Sequence, residues 1–178
     1  VDPPYGIKDL IIKGGETNKK MKFQKNIEKW DITPKDEYWN ELFRISKNQI
    51  IWGANYFTKY LPISRGWVFW DKNFGKVTFA AGELAFTSFN TNLKIWKKQP
   101  VDKNRIHPTQ KPIELYRFLL NEYAEEGNKI FDSHLGSGSI AIACDDLGYD
   151  LTACEIDKDY FEKANKRLEP YRKQQTLF

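Results

Sequence analysis

A carboxylate, two prolines and a tyrosine stand together at the start of the chain, as Asp2-Pro3-Pro4-Tyr5. Proline fixes the backbone and lacks an amide donor, so this turn presents carbonyl acceptors beside a carboxylate and an aromatic ring. An exocyclic amine on an aromatic base is a weak nucleophile, because its lone pair is delocalised, and acceptors must hold both of its hydrogens. Asp2 and the Pro3 carbonyl suit that task, and Tyr5 suits stacking on a base rotated out of a duplex. A Pro-Pro turn without chemistry explains the same residues equally well.

A second motif, Asp132-Ser133-His134-Leu135-Gly136-Ser137-Gly138, lies between a predicted strand and a predicted helix. Its glycines let a ligand approach the backbone, and the helix N-terminus offers free amide donors. Glu155 ends the next predicted strand, 19 positions after Gly136, close to the spacing at which an acid accepts hydrogen bonds from ribose hydroxyls. Together these residues indicate a site for a nucleotide-like ligand; a plain turn and a solvent-facing acid are the alternatives.

A third segment, His107-Pro108-Thr109-Gln110-Lys111-Pro112, combines hydrogen-bond donors with rigidifying prolines before a predicted helix. Basic residues also gather in two stretches, 13–29 and 94–111, which predict contacts with nucleic-acid phosphates. A solvated surface is the alternative for each stretch. The predicted phosphate-contacting residues are Lys19, Lys20, Lys22, Lys94, Lys97, Lys98 and Arg105.

Both halves of the chain must fold to bring these motifs together. In the first half, Thr33 as N-cap and Pro34 at the first helical position predict a helix ending near Lys47, and strands are predicted over 49–52, 66–70 and 83–89. In the second half a helix begins at Pro112, and then strand 129–132, helix 139–147, strand 151–155 and a helix from 157 to about 168 follow. This alternation predicts parallel strands with crossover helices in an α/β fold.

The length of 178 residues and the 40% hydrophobic share predict one folded domain. No apolar run approaches the roughly 20 residues that span a bilayer, so a cytoplasmic location and no membrane partner are expected. The two cysteines, Cys144 and Cys154, have no histidine close in sequence, so no metal site is predicted.

In combination, the motifs resemble those of the amino-methylating DNA methyltransferases of the permuted order, in which the catalytic motif precedes the cofactor motif. The matching segments are 2–5, 107–112, 132–138 and Glu155, and segments 50–57 and 83–89 look like the framework of a phage and bacterial branch. The resemblance covers essentially the whole chain. It implies a Rossmann-like methyltransferase fold with a mostly parallel, doubly wound sheet and one antiparallel strand.

The same resemblance implies how the site residues divide. Asp2, Pro3, Pro4 and Tyr5 are the expected catalytic residues. The expected ligands of S-adenosylmethionine are His107, Thr109, Lys111, Asp132, His134, Gly136, Ser137, Gly138 and Glu155. The implied reaction moves the methyl group directly onto the N6 amine of adenine in double-stranded DNA, and members of the family are often homodimers.

The single domain over 1–178 is expected to divide into a catalytic half (1–89) with a mobile basic loop (8–31), a short target-recognition segment (90–106) and a cofactor-binding half (107–178). A strand is expected before Asp2. Ser133 and His134 depart from the family pattern, which has Pro and Phe at these positions before the glycines. The aromatic stacking that the Phe would give is therefore in question.

Two alternatives remain beside the adenine enzyme. The first is a cytosine-N4 methyltransferase, which shares the mechanism. Asp2 at the head of the Asp2–Tyr5 motif favours adenine, because a Ser at that position would resemble the cytosine branch. The second is an inactive fragment that binds DNA or cofactor without turnover.

Overall fold

A computed structural model describes residues 1–7, 31–75 and 80–175. In chain order the elements are α1 (Asp36–Ile45), β1 (Ile50–Trp52), 3-10 turns Ala54–Tyr56 and Thr58–Tyr60, β2 (Trp67–Asp71), β3 (Gly82–Thr87), β4 (Lys94–Lys97), α2 (Ile113–Tyr123), β5 (Lys129–Asp132), α3 (Ser139–Leu147), β6 (Asp150–Ala153) and α4 (Lys158–Gln175). The predicted loop 8–31 lies outside these residues except for Asp31. Within the described ranges no helix is long and apolar enough to cross a membrane.

The strands form two sheets. One has four strands in the order β1-β3-β2-β4, in which β3 runs antiparallel to both neighbours and β4 runs parallel to β2. The other is the parallel pair β5-β6, joined by α3 as a crossover helix. The α/β class and the parallel strands of the second half are confirmed. The described strands do not form the single, mostly parallel sheet that was predicted, although β3 is the one reversed strand of the larger sheet.

The larger sheet is covered on both faces by helices. Trp52, Val68, Trp70 and Ala85 form one buried cluster with Leu115, Leu119 and Tyr123 of α2. On the other face, Ile51 and Phe86 pack with Trp39 and Leu42 of α1. Burial of each large apolar side chain contributes about 1.5–3 kcal/mol, so these two layers hold the sheet rigidly between them.

The first helix begins later than predicted. Lys35 is the residue before α1, and its side chain makes no capping hydrogen bond. Thr33 is not the N-cap, because its hydroxyl donates to the main-chain carbonyl of Tyr5 at 3.2 Å. The polar residue taken as a helix signal therefore serves the Asp2–Tyr5 turn instead.

Two other predictions of local structure are wrong. Residues 94–97, which were interpreted as part of a basic loop, form β4, with Trp96 packed against the core and Ile95 exposed. The strand was not predicted because the lysines at both ends of this segment favoured an exposed loop over the alternation of inward and outward side chains that a strand shows. The last helix continues past Pro170 to Gln175 rather than ending near Leu168.

The functional motifs gather where strands end. Val1 pairs with β1, since its ammonium donates to the Ile50 carbonyl at 2.9 Å and its carbonyl accepts from the Trp52 amide at 3.0 Å. Asp2 therefore lies beside the carboxyl end of β1. The glycine-containing motif follows the carboxyl end of β5, and Glu155 follows that of β6. Ligands of open α/β sheets bind at such ends.

Candidate active site

One cavity of about 270 Å³ brings together residues that are far apart in the sequence. All four residues of the Asp2–Tyr5 turn contribute to its wall. So do seven residues predicted to contact a cofactor, namely His107, Thr109, Lys111, His134, Gly136, Ser137 and Glu155. The predicted proximity of the first five residues and the loop around Gly136 is therefore observed.

The Asp2–Tyr5 turn is closed by its own side chains. The Tyr5 hydroxyl donates to Asp2 Oδ1 at 2.8 Å. The Gly6 amide donates to Asp31 Oδ1 at 2.9 Å, which fixes the residue after the turn. Burial, followed by the charge of Asp2, raises the pKa of Tyr5 well above its usual value, so the phenol stays protonated as a donor. Asp2 is thus oriented before any ligand binds.

The Tyr5 ring is held by residues that follow β1. It stacks on Tyr56, with ring centres 5.0 Å apart and planes 20° from parallel. Gly53 has a φ of +65°, and a Cβ atom on it would lie 2.1 Å from Tyr5 Cε1. Only glycine fits there, both for the left-handed backbone and for the close approach of the ring. The interaction with Tyr56 was not predicted from the sequence.

A buried ammonium group lies against the Asp2 carboxylate. Lys111 Nζ is 2.5 Å from Asp2 Oδ2 and 3.2 Å from Glu83 Oε2, and its side chain is only 2% exposed. Burial by itself lowers the pKa of Lys111, but the carboxylates of Asp2 and Glu83 outweigh it and raise the pKa. Lys111 therefore remains charged. Lys111 lines the cavity, and its ammonium group faces the carboxylate of Asp2, while its contact with a cofactor stays a prediction.

The loop after β5 is tied to the loop after β6. Glu155 Oε2 accepts the Gly136 amide at 2.7 Å, and Oε1 accepts the Asp157 amide at 3.0 Å. Each carboxylate oxygen keeps a further lone pair for a ligand. The spacing of Gly136 and Glu155, which suggested a shared ligand, therefore also reflects a direct contact between them.

Two predicted cofactor residues, Asp132 and Gly138, are not part of the cavity wall. Asp132 is buried and its Oδ1 accepts the His134 amide at 3.1 Å, which shapes the turn. Gly138 has a φ of +72°, and a Cβ atom on it would lie 3.1 Å from the Cβ of Ala164 in α4. Both residues support the loop from behind.

The two residues that depart from the family pattern form a hydrogen-bonded chain. Tyr38 of α1 bonds Ser133 Oγ at 2.8 Å, and Ser133 Oγ bonds His134 Nδ1 at 2.9 Å. The ring of Tyr38 also meets that of His134 edge to face, with centres 5.5 Å apart. His134 is therefore a fixed, flat part of the cavity wall. Burial lowers its pKa and favours the neutral imidazole.

His107 forms the neighbouring part of the wall. Its ring meets that of Tyr160 with centres 4.3 Å apart, and its Nδ1 accepts the Thr109 amide at 3.3 Å. Burial lowers the pKa of His107 to about 4, so the ring is neutral near pH 7. Neither histidine of the wall therefore contributes positive charge at that pH.

Among the described residues that line the cavity, carboxylates outnumber cations. Asp2, Asp31, Glu155 and Asp157 line it together with one lysine, Lys111. Asp31 Oδ2 is buried and has no hydrogen-bond partner among the described residues, which leaves an acceptor free for a ligand donor. The cavity is therefore suited to a ligand that carries positive charge and several hydrogen-bond donors.

Sequence reasoning missed part of this wall. Ile156 is 99% exposed and offers an apolar surface beside Glu155. The other wall residues that were not predicted are Ile7, Asp31, Tyr116, Leu135, Asp157 and Tyr160, together with Gln110, which was named only as part of its segment. Ile156 and Asp157 could have been found from their position directly after Glu155. Nothing in the sequence around Asp31 indicates its role.

The predicted phosphate-contacting residues have partners within the protein. Lys94 pairs with Glu122, Lys97 with Asp71 and Lys98 with Glu114, while Arg105 donates to the main-chain carbonyls of Pro100 and Gln110. Lys19, Lys20 and Lys22 lie outside the described residues. The role of all seven in binding nucleic acid stays a prediction.

Fold and cavity together define an α/β protein in which an Asp-Pro-Pro-Tyr turn and a glycine-containing loop line one cavity. The family model for N6 and N4 DNA methylases matches residues 11–166. The chain therefore belongs to the DNA methylase family.

Individual relatives agree with this assignment. Type II methyltransferase M.HpaI of Haemophilus parainfluenzae is 38% identical over 69 residues, which are 38% of this chain and 22% of that protein. Type II methyltransferase M2.DpnII of Streptococcus pneumoniae is 36% identical over 63 residues, 35% of this chain and 24% of that protein. The matched part thus spans about a quarter of the length of these relatives.

Solved structures show the same fold. The crystal structure of the complex of M1.HpyAVI with SAM aligns with a TM-score of 0.51 at 22% identity, over 68% of this chain and 74% of that one. The structure of TTHA0409 from Thermus thermophilus, complexed with S-adenosyl-L-methionine, aligns with a TM-score of 0.52 at 14% identity, over 75% of this chain and 74% of that one. The fold of this chain is thus similar to that of DNA methylase structures.

Proposed function

We propose that this protein transfers a methyl group from S-adenosylmethionine to the N6 amine of adenine in double-stranded DNA. The observation that carries the proposal is the shared cavity, in which the Asp2 carboxylate and the Glu155 carboxylate line one space. Family membership supports the general reaction. The likeness of the fold to structures complexed with S-adenosylmethionine supports a Rossmann-like, doubly wound framework for it.

The wall of the cavity fits S-adenosylmethionine. Glu155 has lone pairs available for the ribose hydroxyls, and Ile156 offers an apolar surface for the adenine ring. Asp31 Oδ2, which has no hydrogen-bond partner among the described residues, suits an ammonium group such as that of the methionine end. The net acidic wall suits the positive sulfonium, and the neutral His107 and His134 do not oppose it. When bound, this cofactor supplies an electrophilic methyl group.

The Asp2–Tyr5 turn would hold the target base. Asp2 accepts one hydrogen of the base amine, and the Pro3 carbonyl accepts the other, which turns the nitrogen lone pair toward the cofactor side of the cavity. Tyr5, braced by Tyr56 and Gly53, offers a rigid ring for the base. As the nitrogen bonds the methyl carbon and the carbon–sulfur bond breaks, the carboxylate of Asp2 would stabilise the positive charge that develops on nitrogen, which disappears when the amine loses one of its two hydrogens as a proton. In this proposal, orientation of the base amine and exclusion of water contribute most of the rate acceleration.

Adenine is preferred to cytosine because an Asp heads the motif, which resembles the adenine enzymes. The decisive measurement is mass spectrometry of nucleosides from DNA incubated with the purified protein and S-adenosylmethionine. N6-methyladenosine is expected. Detection of N4-methylcytosine would instead assign the protein to the cytosine branch. The absence of any methylated base would overturn the proposed function. Asp2→Asn, which keeps the shape of the side chain, should abolish the product while cofactor binding persists.

Double-stranded DNA is the partner that this function requires, and we propose the segment 90–106 as a contributor to target recognition. Lys97 is the most accessible of its paired lysines, with 66% of its side chain exposed. Substitution of Lys97 by Met should reduce the salt dependence of DNA binding by about one counterion. A homodimer remains an expectation from the resemblance, and sedimentation with and without DNA measures it directly.

A further inference from the structure

Glu83 was not predicted to act in the site, yet its carboxylate forms an ion pair with the same ammonium group as Asp2; Glu83 Oε2 makes no hydrogen bond to a described residue, so this interaction is electrostatic. It lies near the start of β3, opposite Trp70 of β2. Because β3 runs against β1 and β2, its first residues lie at the carboxyl end of β2, on the side of the sheet where the motifs gather. Glu83 Oε2 lies 3.2 Å from Lys111 Nζ.

These charges form a closed group. Lys111 lies between Asp2 and Glu83, and Lys72 Nζ lies 2.7 Å from Glu83 Oε1. Two carboxylates therefore balance two ammonium groups. Glu83 remains ionised, since the attraction of Lys111 and Lys72 outweighs burial and lowers its pKa. Lys111 Nζ also lies 5.3 Å from the centre of the Trp52 ring, so it has little freedom to move.

We propose that Glu83 is a positioning residue for methyl transfer and acts by sharing the Lys111 ammonium with Asp2. This inference rests on the proposed function. With Glu83 in place, Lys111 orients the Asp2 carboxylate but does not occupy all of its lone pairs. The Asp2 carboxylate can therefore still accept a hydrogen bond from the base amine. Without Glu83, Lys111 has Asp2 as its one carboxylate partner in this group of charges. Asp2, Lys111 and Lys72 then carry one uncompensated positive charge beside the site proposed for a cationic cofactor.

The test compares Glu83→Gln with wild type and with Glu41→Gln, which removes an acid from an exposed ion pair on α1. Glu83→Gln should lower the single-turnover rate of methyl transfer by about tenfold or more, because the acceptor is misplaced, while cofactor and DNA affinities change by less than about threefold. Glu41→Gln should behave as wild type. A wild-type rate in Glu83→Gln would overturn the inference.

A pH profile separates positioning from mere folding. Glu83 helps to raise the pKa of Lys111, so the removal of Glu83 lowers that pKa. The loss of transfer rate that accompanies deprotonation of Lys111 at alkaline pH should therefore begin at a lower pH than in wild type. Glu83→Asp keeps the carboxylate and should recover part of the rate and of the alkaline limit. A folded Asp variant no faster than Glu83→Gln would contradict the proposal.

A double substitution tests whether Glu83 acts through Lys111. In a Lys111→Met background, Glu83→Gln should cause no further loss of rate, since the shared ammonium is already gone. Equal losses in both backgrounds would overturn the proposed coupling. If wild type itself methylates no DNA, the proposed function fails instead, and the two failures are distinguished.

Discussion

The side chains of Asp2 and Lys111, 109 positions apart in the sequence, form an ion pair of 2.5 Å in the interior of the protein. This pair joins the turn proposed to hold the base to the segment that leads into α2. Ser139 Oγ donates to the Lys111 carbonyl at 2.7 Å, so the same segment is also tied to the start of α3. The turn proposed to hold the base and the loop proposed to hold the cofactor are thereby fixed relative to each other.

Replacement of Lys111 by Met should destabilise the protein strongly. It leaves Asp2 and Glu83 facing each other without their shared cation, and the loss of one partner of a buried pair costs about 3–5 kcal/mol. Urea denaturation measures this change, and the single-turnover rate of methyl transfer should fall sharply, yet remain measurable, where the variant is still folded. Lys59→Met, which removes a lysine from an exposed pair with Asp36, is the control and should unfold as wild type does. Equal stability of the two variants would be incompatible with a buried ionic centre.

Gly53→Ala should displace the Tyr5 ring. Gly75 has nearly the same φ, +66° against +65°, but apart from its chain neighbours no atom of the described residues lies within 4 Å of the place of its Cβ, so Gly75→Ala isolates the backbone cost of about 1–2 kcal/mol. Gly53→Ala adds a steric clash and should lose more stability and most of its methyl transfer. The comparison fails if both alanine variants transfer at the same rate.

Glu155→Gln should weaken cofactor binding without affecting DNA binding. Hydrogen bonds to a charged group contribute about 1.5–3 kcal/mol, so the dissociation constant of S-adenosylmethionine should rise about tenfold to a hundredfold. Isothermal titration calorimetry gives this constant. The control is Glu162→Gln on α4, whose partner is the exposed Lys158. Unchanged affinity in Glu155→Gln would remove Glu155 from the cofactor site.

His107 should make the protein sensitive to acid. Its pKa is about 4 in the folded state, below the usual 6.5, so the unfolded state takes up a proton first as the pH falls. The contribution of the neutral ring is complete above pH 6.5 and is lost between 6.5 and about 4, at about 3 kcal/mol in total. Denaturation of wild type and His107→Gln across this range measures it. Parallel pH curves for the two proteins would refute the assignment.

Local signals predicted part of the molecule well. β5 and α3 lie where the sequence placed them, because Gly136, Gly138 and Gly148 mark their limits sharply. The start of α1 was misjudged because Thr33 bonds to Tyr5, a partner 28 positions away. The local sequence favours Thr33 as a helix cap, but in the folded protein its hydroxyl donates a hydrogen bond to the Tyr5 carbonyl instead.

The same limit applies to the site. The approach of the two motifs could be inferred from their order and from the positions of strand ends. The contact of Lys111 with Glu83 could not, because it depends on the antiparallel direction of β3, which no local pattern records. Asp132 and Gly138 were assigned to the ligand and are not among the residues that line the cavity, since spacing alone does not distinguish a wall residue from one directly behind it; their contact with a cofactor stays a prediction.

The ion pair between Asp2 and Lys111 also bears on how the protein matures on the ribosome. Translation delivers Asp2 first and its counter-ion 109 residues later. A nascent chain therefore carries the carboxylate throughout that interval without the lysine that orients it. Under the proposed function, polypeptides that stop before Lys111 should therefore transfer no methyl group, because Asp2 lacks the cation that orients it.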